Sequence, residues 1–392
     1  MSFRLAIVST HPIQYYAPLF KLLAGVENLL LKVFYTQGDD QDITDEGFRK
    51  KITWDIPLLE GYEFEFLKNT SNEKGNHHFK GIVNPNIINR IDSFKPDAIL
   101  VYGWAYQSHL KILGHYAGKI SLWFRGDSTL LDKQGLFKAV IKNLYLRRIY
   151  KHIEHAFYVG TNNRAYFKHY GLKDEQLTFA PHAVNNKHFE ADKTAEAIAI
   201  RLNLGISTES ILILFAGKFE EKKDPLLLLR AFLKLQNKNI HLLFVGNGQL
   251  EENMKILAKT CPDRASYIHF MDFQNQTQMP AIYQACDLFC LPSKGPAETW
   301  GLAVNEAMAA GKAILVSNKV GCAIDLVEDQ KNGFIFESGN INELIGKLDF
   351  LAQSRMALAA MGKYSNSIIK HWTLEKQAEI FINHINLAEK KL

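Results

Sequence analysis

Continuous apolar runs, each closed by turn residues and followed by a helical pattern, recur along this chain in two series. The first series holds Leu5–Ser9, Asp97–Tyr102, Ile120–Phe124 and Ala156–Gly160. The second holds Ile211–Gly217, His241–Gly246, Asp287–Pro292, Ala313–Ser317 and Gly333–Phe336. Runs without polar alternation read as parallel strands buried on both faces. Helical stretches between them, such as Leu226–Leu235 and Asn342–Ala352, complete βαβ units. The fold class predicted is α/β, with two doubly wound Rossmann-like domains. A length of 392 residues fits two cores better than one. The polar stretch over Asn185–Ala199 separates the series, which sets the first domain at 1–192 and the second at 193–370. A final amphipathic helix spans Trp372–Ala388, within a closing segment 371–392.

Charge and cysteine usage narrow the function classes. Lys+Arg 46 against Asp+Glu 41 leaves +5, too even for a dedicated nucleic-acid binder. Cys261, Cys286, Cys290 and Cys322 match neither a disulfide framework nor a C-x2-C metal pattern. Reduced thiols point to the cytoplasm. The opening MSFRLAIVST has a short apolar stretch that suits a first strand better than a signal peptide. No dinucleotide G-x-G-x-x-G run, P-loop or G-x-S-x-G elbow is present.

The richest stretch is Leu291–Gly311, LPSKGPAETWGLAVNEAMAAG. A strand ends at Pro292, a loop follows, and a helix starts near Gly301–Leu302. A helix N-terminus offers unpaired N–H groups and partial positive charge, a natural anion site. Glu298 lies in the loop and Glu306 one turn into the helix. A second cluster, Gly217, Lys218 and Lys223, follows the first strand of the second series. It falls at the carboxyl edge of the sheet, where open α/β sheets bind ligands. Two ammonium groups there suit a diphosphate, whereas a solvated charged turn is the plain alternative. A third cluster, Val245–Leu250, places Gly246 in a strand-to-helix turn.

These pieces together resemble glycosyltransferase family 4, the retaining nucleotide-sugar enzymes of the GT-B fold. The resemblance runs from about Ile211 to Phe350, through FAGKFEEKKDPLLLLRAF, LLFVGNGQLEENM, MPAIYQACDLFCLPS, ETWGLAVNEAMAAGKAILVS and NGFIF. Over residues 1–190 it is weaker, and STHPIQYYAPLFKLLA looks like the opening of bacterial polysaccharide-assembly members. The resemblance implies two domains facing a cleft, acceptor binding by the first and nucleotide-sugar binding by the second. It also implies that the final helix packs back on the first domain. Glu298 would face the donor sugar, and the amides near Gly301 and Leu302 would hold the diphosphate. Glu306 would take the ribose hydroxyls, and Lys218 and Lys223 would steady the leaving group. Lys218 stands where the family more often has arginine, and so lacks the bidentate fork. Backbone groups near Met271–Gln274 would meet the base.

The implied activity is hexosyl transfer from a nucleoside-diphosphate sugar, UDP favoured over GDP, to a saccharide or lipid-linked acceptor in cell-surface polysaccharide assembly. Neither metal nor cofactor is expected. A nucleotide-sugar epimerase on the same fold and a GT-B-like binding protein without catalysis are the rival readings.

The first domain departs from the family pattern. Arg125 stands at a strand end where the family carries a histidine. Arg125 and Asp127 are candidates for phosphate or acceptor contact, or form a pair that stiffens a loop. His11 and Gln14 follow the first strand and are cleft candidates, although a histidine with a backbone partner is the plain alternative. Trp104 offers either a sugar platform or core packing. Residues 131–152 carry Lys133, Lys138, Lys142, Arg147, Arg148 and Lys151 against Asp132, a net of +5. Apolar residues interleave with them at helical spacing. Such a helix either lies on an anionic membrane, on the inner face of the cell membrane here, or covers the sheet with a solvated basic face.

Overall fold

The computed structural model describes residues 2–38, 44–45, 50–51, 53–132 and 135–390. Lys133 of the basic segment lies outside the described residues. The chain divides into two compact units. One comprises the described residues of Met1–Asp42, Pro57–His182 and Leu374–Leu392, and the other those of Ile43–Ile56 and Ala183–Thr373.

The strands of the first unit are β1 (Phe3–Ser9), β2 (Leu29–Tyr35), β5 (Glu63–Phe66), β6 (Ala98–Tyr102), β7 (Ser121–Arg125), β8 (His155–Tyr158) and β9 (Leu177–Phe179). β3 (Thr44–Asp45) and β4 (Lys50–Lys51) form a small antiparallel ribbon in the other unit. Among the described residues the first sheet has seven strands in the order β5-β2-β1-β6-β7-β8-β9, and all its pairs are parallel.

The second sheet is built from β10 (Ile211–Ala216), β11 (Ile240–Val245), β12 (Ile268–Met271), β13 (Leu288–Leu291), β14 (Ala313–Ser317) and β15 (Gly333–Phe336). Its order is β12-β11-β10-β13-β14-β15, again parallel throughout. Both sheets are doubly wound. In each, the order reverses beside the first strand, at β1/β6 and at β10/β13. Ligands of such sheets settle outside the carboxyl ends of the strands at this switch point.

The apolar runs became strands because both sheet faces are covered. All six residues of β10 and of β11 are buried. Four strands carry no such run. Lys32 interrupts β2, the EFEF of β5 alternates at an edge, and β9 and β12 are short and half-exposed. Of these, β5, β9 and β12 are edge strands, paired on one side only, whereas β2 lies inside the first sheet.

The boundary between units falls at His182/Ala183, ahead of the expected 192/193. The polar residues that look like a linker are packed. Asn186 and Phe189 are buried, and the Asn186 amide donates to the Ile369 carbonyl at 2.9 Å. His188 Nε2 lies 2.8 Å from the Gln276 carbonyl. At the far end, Trp372 and Thr373 count with the second unit, and the helix Leu374–Glu389 counts with the first. Phe381 packs on Phe157 with ring centroids 4.3 Å apart, and His384 meets Trp123 at 4.6 Å.

Candidate active site

Two loops flank the β10/β13 switch point. The loop after β10 carries Gly217, Lys218 and Lys223 and leads through Asp224 into the helix Pro225–Lys234. The loop after β13 carries Ser293 and Glu298 and leads through Gly301 into the helix Leu302–Ala309. The backbone knits the two, since the amides of Lys294 and Gly295 both donate to the Lys222 carbonyl. Their meeting point is an ion pair: Lys223 Nζ lies 2.6 Å from Glu298 Oε2. The same carboxylate oxygen accepts from Ser293 Oγ at 2.9 Å. Ser293 is in turn gripped through its carbonyl by the hydroxyl of Ser317, at the end of β14. A buried carboxylate costs much free energy unless paired and hydrogen-bonded, and Glu298 is both.

Gly301 caps the helix in the left-handed region, at φ +95°. A Cβ there would meet Val320 Cγ1 at 2.8 Å, so both the turn and the space require glycine. Behind this cap, Gly321 and Cys322 pair with the site loop. Their amides donate to the carbonyls of Glu298 and Trp300 at 3.1 and 3.0 Å. A Cβ on Gly321 would lie 1.7 Å from the Thr299 carbonyl oxygen, so only glycine permits this suture. The first N–H groups of any helix lack carbonyl partners within it. Here the helix starts beside Glu298, since a Cβ on Gly301 would lie 3.7 Å from Glu298 Oε1.

Glu306 is buried inside the same helix, and its Oε2 accepts from the Tyr283 hydroxyl at 2.8 Å. Asn305 is buried beside it and accepts from Trp300 Nε1 at 2.9 Å. Burial, and next the Glu298 charge, push the Cys322 thiol well above its ordinary value. Gly246 begins the turn after β11, where the Asn247 side chain accepts from the Phe273 amide at 2.9 Å. The Asn247 amide also donates to Asp272 at 2.9 Å, so this residue fixes the backbone expected near the base.

Gly217, Lys218, Lys223, Glu298, Gly301, Leu302 and Glu306 therefore gather on two neighbouring loop–helix junctions of one unit. Sequence reasoning missed Ser293, Tyr283, Asn247 and Gly321, which hold them. Ser293 directly follows a strand run and was open to notice. Tyr283 lies 23 residues before its carboxylate, and no local pattern links the two.

The first unit is different. His11 Nδ1 lies 2.9 Å from Thr10 Oγ1, and Gln14 is half-buried nearby in sequence, both following β1 at the switch point. Trp104, after β6, packs against the apolar core and edge-on to Tyr145 at 6.1 Å. Arg125 is buried. Its guanidinium donates to the carbonyls of Ala180 and Pro181 at 3.0 and 3.2 Å. The desolvation of this site pulls Arg125 below its ordinary value, and burial with the neighbouring Arg125 charge pulls His182 well below its own. Asp127 is half-buried in the following loop, where burial and then its charge raise the Tyr16 hydroxyl. Arg125 thus fastens the strand to the 180–181 backbone.

Comparison with known proteins follows the same division. Residues 197–367 match the family model described as glycosyl transferases group 1. An uncharacterized glycosyltransferase of Haemophilus influenzae is 32% identical over 173 residues, 44% of this chain and 48% of that protein. The lipopolysaccharide 1,2-N-acetylglucosaminetransferase of Salmonella typhimurium is 32% identical over 143 residues, 34% of this chain and 37% of that protein. The chain thus spans about half or less of the length of these curated relatives. Among solved structures, HepE of Anabaena in complex with UDP and glucose has a TM-score of 0.72 at 14% identity, covering 98% of this chain and 99% of that one. The sucrose-phosphate synthase of Thermosynechococcus elongatus has a TM-score of 0.76 at 15% identity, covering all of both chains (100% each). At such identities the likeness is one of fold, the GT-B class of two Rossmann-like domains.

Proposed function

We propose that this protein is a glycosyltransferase of family 4 that moves a hexosyl group, with retention of configuration, from a nucleoside-diphosphate sugar to a hydroxyl of a saccharide or lipid-linked acceptor. UDP is the favoured carrier, and cell-surface polysaccharide assembly in the bacterial cytoplasm is the setting. The observation that carries the reading is the Lys223–Glu298 pair at 2.6 Å, beside a helix start that only glycine allows. The match of residues 197–367 supports it, as do the UDP and glucose held by the Anabaena relative.

In this reading the diphosphate lies against the N-terminus of helix Leu302–Ala309. Lys223 and Lys218 then face its oxygens, and Glu298 turns from Lys223 to the sugar hydroxyls. Glu306, oriented by Tyr283, accepts from the ribose. The bond between the anomeric carbon and the phosphate oxygen breaks, and the nucleoside diphosphate leaves with its charge met by ammonium and amide groups. The acceptor oxygen bonds to the anomeric carbon and passes its proton to the departing phosphate oxygen. Positioned cations and a helix dipole supply this stabilisation without a metal ion.

The test is thermal unfolding with UDP, GDP, ADP, TDP and CMP, for wild type and Glu306→Ala. A ligand at about 100 times its dissociation constant stabilises by about 2.7 kcal/mol. One diphosphate should stabilise the wild type, and the variant much less. Absence of any shift would contradict donor binding. Dependence of donor turnover on added acceptor separates transfer from epimerisation.

A further inference from the structure

The helix Leu136–Tyr150 points a large apolar face at water. Its inner side is ordinary: Leu146, Ile149 and Tyr150 are buried in the core of the first unit. Its outer side is not the solvated basic face that a sheet-covering helix would carry. Phe137, Val140, Ile141 and Leu144 are 79%, 59%, 53% and 68% exposed. Their spacing is i, i+3, i+4, i+7, a single stripe along the helix. At about 100° per residue the four fall within roughly a 100° arc centred on Phe137. Arg148 and Lys151 continue that arc beyond Leu144, while Lys138 and Arg147 lie to either side, and all four cations are exposed. Leu130, just before the helix, is exposed as well.

Two features must be explained together. Four large apolar side chains in one stripe resist hydration. A second copy of the chain or an apolar protein groove would satisfy the stripe alone. It would leave the cations unbalanced, because Asp132 is the sole acid of 131–152. An anionic bilayer interface satisfies both. Acyl chains receive the stripe, and headgroups receive ammonium and guanidinium groups at its end and flanks. We propose that helix Leu136–Tyr150 docks the protein on an anionic lipid surface, with Phe137, Val140, Ile141 and Leu144 inserted and Lys138, Arg147, Arg148 and Lys151 on the headgroups. The proposal uses none of the residues named for transfer and stands apart from that reading. Among the described residues no helix is long and apolar enough to cross a membrane.

The experiment is cosedimentation of the full chain with phosphatidylcholine vesicles, with and without phosphatidylglycerol. Wild type should bind the phosphatidylglycerol vesicles and be released by salt. Phe137→Glu with Leu144→Glu should weaken binding by about tenfold or more. Arg148→Gln with Lys151→Gln should weaken it on anionic vesicles by about fivefold per charge. All these side chains are exposed, so unfolding temperatures should match the wild type, which separates lost docking from lost fold. Phe137→Trp should show a blue-shifted emission on the same vesicles. Absence of wild-type binding, or equal binding by the glutamate variant, would overturn the proposal. A dimer in light scattering that the glutamate variant dissociates, with no vesicle binding, would overturn it in favour of self-association.

Discussion

The two sheets share a winding order but put it to opposite uses at their carboxyl edges. At the β10/β13 switch point, charged groups converge from two loops: Lys223 meets Glu298, and Glu306 stands in the next helix turn. At the β1/β6 switch point, His11, Gln14 and Trp104 follow the strands, but the strongest charge nearby, Arg125, is turned inward onto the Ala180 and Pro181 carbonyls. Topology thus sets where a site can form, while the hydrogen-bond partners of each charged side chain decide whether it serves a ligand or the fold.

The largest effect expected from this contrast is on turnover. Glu298→Ala should lower kcat by about 1,000-fold, the scale of losing a preorganised electrostatic group, while Arg125→Met should leave nucleotide affinity unchanged. Comparable losses of affinity in both would erase the distinction between the edges. Arg125→Met should instead lower stability by about 3 kcal/mol, because two charged hydrogen bonds are lost and two carbonyls are stranded. Denaturant unfolding measures this. Intact stability with weakened nucleotide binding would return Arg125 to a ligand role.

The first unit should also be acid-sensitive at an identified residue. His109 is fully buried, with Nδ1 2.9 Å from the Gly103 carbonyl and Nε2 3.0 Å from Thr36 Oγ1. Burial lowers it from 6.5 to about 4. The unfolded chain therefore takes up this proton first as pH falls. The stability contributed is complete above pH 6.5 and is lost progressively toward pH 4. The expected loss from this residue is about 2 kcal/mol between pH 6.5 and 5, at roughly 1.4 kcal/mol per unit. His109→Gln should flatten that part of the stability profile, and an unchanged slope would contradict the assignment. The smallest effect expected is at Tyr283→Phe. Removing the hydroxyl that orients Glu306 should weaken nucleotide binding by about tenfold or less, since one such hydrogen bond is worth about 1 kcal/mol. Equal binding would detach Glu306 from the ribose.

The comparison also explains what could be read from the residues. The apolar runs marked every central strand of both sheets except β2, where half-buried Lys32 interrupts the run with its ammonium 2.8 Å from Glu63 of β5. Glu298, Gly301 and Glu306 were legible because one loop–helix junction holds all three within nine residues. Tyr283 and Asn247 were not, because their partners, Glu306 and the Asp272–Phe273 turn, lie 23 to 26 residues away and no spacing links them. The unit boundary was missed because Asn186 and His188 are polar yet spend their side chains on backbone carbonyls. The outward apolar stripe was hidden too. The helical spacing of the apolar residues was readable, but they occupy both faces, and only burial separates the inner Leu146 and Ile149 from the outer Phe137, Val140, Ile141 and Leu144.

The most direct test of the central claim is amide hydrogen exchange with and without whichever nucleoside diphosphate stabilises the chain. The account predicts protection concentrated in 217–224 and 293–306, the two loops that bring Lys223 and Glu298 together. Protection confined to residues 9–14 and 102–128 of the first unit, with those two loops unchanged, would contradict it.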